Sequence, residues 1–162
     1  KQLQQLLVQQ QIQQKPQVII SPNNSQWFRY TDSRFNFSIL HPADWYVNQT
    51  QIGVGFGSAS SSDQWVIQVF ETASKDKNDI LQQINTLENS RIGVSNINQS
   101  NINLGGVIAI RVSVSNELQA SYIPSWYTEY IILEYQGKTY WLSNGAIRDG
   151  RFEDFYHSLS FF

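Results

Sequence analysis

The pattern of apolar and polar residues predicts a domain built mostly from β-strands. Short segments in which apolar and polar side chains alternate, or in which β-branched and aromatic residues cluster, are typical of strands. The segments with this pattern are Trp27–Tyr30, Phe35–Leu40, Gln51–Gly57, Trp65–Phe70, Ser95–Leu104, Val107–Val114, Ser125–Tyr135 and Lys138–Ser143. Gly105-Gly106 and Gln136-Gly137 separate the last four segments in pairs, so each pair is predicted to form a tight hairpin.

Two segments have a helical period instead. Ile80, Leu81, Ile84 and Leu87 follow the spacing of one helix face and predict a helix over about 77–90. The start of this helix can be capped by Ser74, Asp76 or Asn78, and Asp79 suits its first turn.

The second helix is predicted over 151–159, where Phe152, Phe155, Tyr156 and Leu159 share a face. The apolar end of the chain, Ser160-Phe161-Phe162, is expected to dock on the sheet. Strand runs with separate helices indicate an α+β fold, an antiparallel β-sheet flanked by helices, rather than a doubly wound parallel sheet.

The N-terminal residues differ in composition from the rest of the chain. Residues 1–17 are more than half Gln, and their few apolar residues are spaced weakly like a helix that Pro16 would end. A coiled-coil seam or a stalk is one interpretation and a polar linker is the other, which we prefer because the apolar repeat is short. We therefore predict a Gln-rich N-terminal helix or linker over 1–25 and one domain over 26–162.

Charge and composition limit the classes of partner. The net charge is -2 and no basic block occurs, so a nucleic-acid footprint is not expected. No apolar run reaches the roughly 18–20 residues that span a bilayer. The absence of Cys excludes disulfides and thiolate chemistry. Because the sequence begins at Lys1 without Met, we expect a processed or excised chain, with any anchor upstream of Lys1.

The candidate metal ligands are weak. His41 and Asp44 flank a turn at Pro42, and an imidazole with a carboxylate suits zinc or manganese. Two ligands in one turn are more often turn chemistry, so we predict no metal and no cofactor. His157, beside Glu153 and Asp154, is expected to face solvent near the end of its helix.

Other motifs also favour structural roles. The glycines of Gly53–Gly57 are followed neither by a helix nor by Lys-Ser/Thr, so an edge strand is preferred to a phosphate loop. The aromatic residues of the hairpin over 125–143 could form a binding surface, although burial of both faces is the preferred interpretation. The Asn-x-Ser/Thr sites at Asn23, Asn36, Asn48 and Asn98 are expected by chance in so Asn-rich a chain. No catalytic residues are found in the sequence, and we predict that the protein is not an enzyme.

Both ends of the chain from about residue 30 resemble PsbP-like domains. The first matching stretch is YTDSRFNFSILHPADWYV, with an aromatic-Asp turn leading to an F-x-F/I and P-x-x-W segment, here Tyr30, Asp32, Phe35, Phe37, Ile39, Pro42 and Trp45. The second is a hairpin with Gly137, Lys138, Tyr140 and Trp141, followed by the Phe-rich ending Phe152, Phe155, Ser158, Leu159, Phe161 and Phe162.

This resemblance implies an antiparallel sheet sandwiched by helices, a PsbP-like α/β/α sandwich. The family includes extrinsic subunits of photosystem II, bacterial lipoproteins and, by fold, a Ran-binding nuclear-import factor. Similar domains form the C-terminal part of larger bacterial proteins such as membrane-anchored Ser/Thr kinases. The resemblance implies an extracytoplasmic accessory, assembly or binding module in the periplasm, thylakoid lumen or cell surface, with a protein partner such as a membrane complex. The alternative is a C-terminal sensor or interaction domain of a membrane-anchored kinase.

Overall fold

The computed structural model describes residues 18–20, 26–58, 64–91, 96–115, 127–145 and 150–162. The described residues form strands and two helices, α1 (Lys77–Asn89) and α2 (Arg151–His157). The strands are β1 (Val18–Ile20), β2 (Gln26–Asp32), β3 (Phe37–Pro42), β4 (Trp45–Thr50), β5 (Gly53–Ser58), β6 (Gln64–Glu71), β7 (Asn96–Leu104), β8 (Val107–Ser115), β9 (Tyr127–Tyr135), β10 (Lys138–Ser143) and β11 (Ser160–Phe161).

These strands form two antiparallel sheets. The larger has seven strands in the order β4-β5-β6-β10-β9-β8-β7, and the smaller has four in the order β1-β2-β3-β11. The predicted α+β class with an antiparallel sheet and flanking helices is therefore confirmed. The division into two sheets was not predicted from the sequence. The fourth strand of the small sheet, β11, pairs Phe161 with Phe37, and these residues lie at opposite ends of the domain sequence and share no local signal.

Two apolar clusters, one on each face of the seven-stranded sheet, form the core. The larger cluster is built from β2 and β3 of the small sheet, α2 and one face of the large sheet. The smaller lies under α1, where Ile80 and Ile84 pack with Val112, Val114 and Ile132. The layers are therefore α1, the seven-stranded sheet, and a third layer of the small sheet with α2.

The predicted hairpins and helix starts agree with the structure. Gly105 and Gly106 have φ of 60° and 94°, and Gln136 and Gly137 have φ of 48° and 75°. Two consecutive residues with positive φ match the twist of an antiparallel hairpin, which explains the glycines. Asp76 caps α1 and forms a capping box with Asp79.

The segment after Pro42 differs from the prediction. Trp45 is buried and its ring lies 4.4 Å from that of Trp65, so it anchors this segment in the core. It also begins β4, a strand that the sequence did not predict because the last three residues of β4 are all exposed and show no alternation. As a result β5, which was predicted at the edge, lies one strand inside it.

Some predictions fall outside the described residues. They concern the Gln-rich segment over 1–17 and the site at Asn23. The boundary near residue 26 stays a prediction, and β1 pairs with β2 ahead of it. Neither described helix is long and apolar enough to cross a membrane.

Candidate functional site

His41 and Asp44 occupy different environments. His41 is buried on β3, where its ring lies 5.2 Å from that of Phe56, and burial lowers its pKa. Its Nδ1 lies 2.9 Å from the carbonyl oxygen of Pro42. Asp44, in the turn that follows, is exposed. Across the residues that the structure describes, no three His, Asp or Glu side chains are grouped so that they could hold a metal.

His157 lies in the last turn of α2 and is exposed, as its position predicted. Its Nε2 is 3.9 Å from a carboxylate oxygen of Glu153, one helical turn away. Both side chains are largely solvent-exposed, so this contact is weak.

Rings of the aromatic hairpin pack inward on both faces of the large sheet. Tyr140 is buried with Phe37 and Phe161 on the face toward the small sheet. Tyr130 is buried on the α1 face, with its ring 6.1 Å from that of Trp141. The interpretation preferred from the sequence, burial on both faces, fits these positions.

An open cleft lies where the C-terminal end of α1 meets the ends of β9 and β10. Its volume is about 410 Å³, in the range of small-ligand sites. The lining residues are Leu87, Glu88, Ser90, Arg91, Thr128, Tyr130, Ser143 and Gly145. We call it the α1 cleft. It combines an exposed apolar side chain, Leu87, with hydroxyl and charged groups.

The floor of the α1 cleft is a buried carboxylate with fixed partners. Glu88 is fully buried, and Tyr130 donates a hydrogen bond to its Oε1. Arg91 Nη1 lies 3.4 Å from Glu88 Oε2 and 3.3 Å from Thr128 Oγ1. Burial, with the hydrogen bond to Glu88, raises the pKa of Tyr130. The phenol therefore stays protonated at neutral pH and keeps donating.

A second charged cluster lies on the opposite face of β9. Glu129 is buried, and its Oε1 accepts a 2.5 Å hydrogen bond from Arg111 Nε. Tyr127 donates to Glu129 Oε2 at 3.0 Å. The backbone N–H of Glu129 donates a hydrogen bond to Oδ1 of Asn144 at 2.9 Å, and the backbone N–H of Asn144 donates to the carbonyl oxygen of Glu129 at 3.2 Å. This cluster fixes the end of β9 against the residue that follows β10.

Sequence reasoning did not identify either carboxylate. Glu88 continues the buried stripe of Ile80 and Ile84 by one further step of four residues, which was the available signal. Glu129 alternates with Ile131 and Leu133 on one face of β9, so the strand period also places it inside. In both cases the expectation that charged residues face solvent overrode the period.

Chemically, both clusters are suited to holding shape. Each carboxylate already accepts hydrogen bonds on both oxygens. A general base needs an oxygen within reach of a substrate proton. The α1 cleft therefore combines hydrogen-bonded polar groups with an apolar rim.

Comparisons with known proteins agree with this architecture. No family model matches the sequence, and no curated protein matches it. Among solved structures, the fold is similar to the solution structure of cyanobacterial PsbP (CyanoP) from Synechocystis sp. PCC 6803. The alignment has a TM-score of 0.61 and 13% sequence identity, and it covers 83% of this chain and 91% of that chain. The chain has a PsbP-like fold. The resemblance seen in the two ends of the sequence is thus confirmed at the level of the fold.

Proposed function

We propose that the protein is a non-enzymatic, extracytoplasmic PsbP-like module that acts as an accessory or assembly factor by binding a protein partner, such as a membrane complex. The observation that carries this proposal is the PsbP-like fold over most of the chain. Its location and role rest on the family resemblance of the sequence. A fold alone does not fix a function, so the binding surface must be argued from its residues.

The α1 cleft is the surface that we assign to the partner. Leu87 is 52% exposed at its rim, which places an apolar contact beside polar groups. The buried Glu88 holds Tyr130 and Arg91 in one arrangement before a partner arrives, and this reduces the ordering cost of association. A partner side chain with an apolar stem and a polar end would match this lining.

A pull-down from native membranes tests the role and the surface together. The purified protein is immobilised at low salt, and Leu87→Glu is compared with the unchanged protein. Ile52→Glu is the matched control, because Ile52 is 44% exposed in the turn between β4 and β5 and does not line the cleft. We expect the unchanged protein and the Ile52 variant to retain the same membrane complex and the Leu87 variant to lose it. Failure of the unchanged protein to retain any complex contradicts the accessory role, and equal retention by all three contradicts the surface.

The non-enzymatic part of the proposal has its own test. The purified protein is assayed against a panel of esters, phosphate esters and glycosides. We expect no turnover above the background of a mock purification. Turnover that is lost in Glu88→Gln or Glu129→Gln variants that remain folded would overturn the proposal and make that carboxylate a candidate acid or base.

The alternative role, a sensor or interaction domain at the end of a membrane-anchored kinase, fits one feature of the topology. The chain enters the domain through β1, the outer strand of the small sheet, whereas the α1 cleft lies on the other side of the large sheet. The α1 cleft is therefore on the side of the large sheet opposite the strand β1. The upstream reading frame separates the two roles: a lipobox supports the accessory factor, and a kinase domain with a membrane helix supports the sensor.

A further inference from the structure

The strand β7 has the features of an interface. It is the last strand at one edge of the seven-stranded sheet, and in the part of the chain that the structure describes no strand pairs with its outer side. It runs for nine residues with the sequence NINQSNINL. Asn98, Gln99, Ser100, Asn101 and Asn103 are all exposed.

Edge strands of soluble proteins are normally protected against pairing with another chain. Protection comes from charged side chains, especially Lys, from Pro, from bulges, or from short length. β7 has none of these: it contains no Asp, Glu, Lys, Arg, Pro or Gly, and its pairing with β8 is continuous from Asn96 to Leu104. By comparison β4, the strand at the opposite edge, has six residues.

We propose that β7 pairs antiparallel with β7 of a second copy of this protein, joining two seven-stranded sheets into one. The proposal goes beyond the accessory role and uses a different surface from the α1 cleft. A second copy is favoured over a charged partner because β7 offers no charge for such a partner to recognise. At the centre of the strand, the exposed Gln99, Ser100 and Asn101 side chains both donate and accept hydrogen bonds, so they can bind the same residues of a second copy.

Two-fold symmetry limits the registers of such a pair to those in which one residue faces its own copy, and the longest ladder places Ser100 at that position. An isologous interface requires that if one residue contacts another, the second contacts the first in return. Centring the axis on Ser100 pairs residues 97–103, with Gln99 opposite Asn101 and Asn98 opposite Ile102. Each Ser100 then faces the Ser100 of the other copy. At roughly 3.3 Å per residue, the shared ladder is about 23 Å long.

Charge substitution at Ser100 tests the pairing. Ser100→Lys alone and Ser100→Glu alone place like charges opposite each other, and each should weaken dimerisation about tenfold or more. An equimolar mixture of the two variants should restore it, because Lys then faces Glu. Asn48→Lys, an exposed position on β4, is the matched control and should dimerise like the unchanged protein. Sedimentation velocity across a wide concentration range measures whether each protein is monomeric or dimeric, and circular dichroism checks that each variant is folded.

A cysteine cross-link tests the register. The protein contains no Cys, so a single introduced thiol reports without background. Ser100→Cys should form a disulfide-linked dimer under mild oxidation, since directly opposite Cα atoms lie about 4.5–5.5 Å apart. Asn98→Cys should not, because in this register the two thiols are offset by four residues, which is about 13 Å along the strand.

Three results would overturn the proposal. The first is an unchanged protein that stays monomeric at every concentration. The second is a dimer that Ser100→Lys leaves intact or that Asn48→Lys weakens equally. The third is equal cross-linking at positions 98 and 100.

Discussion

Replacing Asp32 by Asn should destabilise the protein strongly, because this carboxylate holds Arg34, the side chain that joins the two sheets. The Asp32 side chain is 1% exposed and binds Arg34 through both oxygens, at 2.9 Å to Nε and 2.5 Å to Nη2. It also accepts from the Tyr30 hydroxyl at 2.8 Å. Arg34 Nη1 in turn donates to the carbonyl oxygen of Thr50 at 2.8 Å, so the small sheet is tied to β4 of the large one.

The size of the loss follows from these contacts. A hydrogen bond to a charged group contributes about 1.5–3 kcal/mol to stability. Asn keeps one acceptor oxygen and replaces the other by an amide that faces donors, so Asp32→Asn should cost about 2–3 kcal/mol. For a domain of this size the midpoint of thermal unfolding should fall by roughly 4–12 °C.

The stability of the unchanged protein should also depend on Asp32 at acid pH. Burial alone would raise the pKa of Asp32, but the hydrogen bonds from Arg34 and Tyr30 outweigh it and hold the pKa below its ordinary value. The unfolded chain therefore binds a proton at higher pH than the folded one. The stabilisation is complete above about pH 5 and is lost as the pH falls through the ordinary value of about 3.9 toward the lower folded value.

Urea unfolding followed by tryptophan fluorescence measures both effects. Trp27, Trp45 and Trp65 are buried and report on the core. Asp44→Asn is the control, since Asp44 is exposed, and it should change the free energy of unfolding by less than about 0.5 kcal/mol. Two results would refute this reasoning. One is a loss of unfolding free energy in Asp32→Asn as small as that in Asp44→Asn. The other is the same dependence of stability on acid pH in the unchanged protein and in Asp32→Asn.

Three further predictions use single positions. A Cβ at Gly53 would lie 1.9 Å from a backbone oxygen of β6, so Gly53→Ala should cost at least about 3 kcal/mol or prevent folding. Gly150 has open space around it, so Gly150→Ala should change the free energy of unfolding by no more than about 1 kcal/mol. Urea unfolding compares the two variants, and equal midpoints would contradict the clash at Gly53. Burial lowers the pKa of His41, so below about pH 6.5 the unfolded chain binds more protons than the folded one and stability decreases as the pH is lowered. His41→Phe should flatten this decrease between pH 7 and 5, and an unchanged pH dependence would be evidence against a buried neutral imidazole. Glu88→Ala removes the carboxylate that accepts the hydrogen bond of the buried Tyr130 hydroxyl, and it should cost about 1–3 kcal/mol by chemical denaturation. A loss under about 0.5 kcal/mol would mean that the carboxylate is not buried as described.

Local chemistry allowed much of the fold to be predicted. Gly105 and Gly106 stand where two positive φ values are needed, and Asp76 stands where a helix needs a cap. These elements are encoded by neighbouring residues, so a sequence pattern predicts them. Trp45 could be predicted as a core residue for the same kind of reason, since a large aromatic side chain beside a Pro turn is seldom left exposed.

The parts that could not be predicted depend on distant residues. β4 is mostly exposed, and only its pairing with β5 makes it a strand. The place of β11 in the small sheet depends on Phe161 reaching Phe37. At the α1 cleft, the burial of Glu88 depends on a tyrosine of β9, and no pattern within the helix specifies that partner.

The route of the chain through the small sheet also has a consequence for folding during synthesis. β3 is completed by β11, where Ser38 and Ser160 are joined by a 2.8 Å hydrogen bond across 122 residues, and Phe161 stacks 4.3 Å from Tyr135. The hairpins of the large sheet need only near neighbours and can form while the chain is still being made. The small sheet cannot close until the final residues have left the ribosome, so a chain stalled before Ser160 leaves one edge of β3 unpaired.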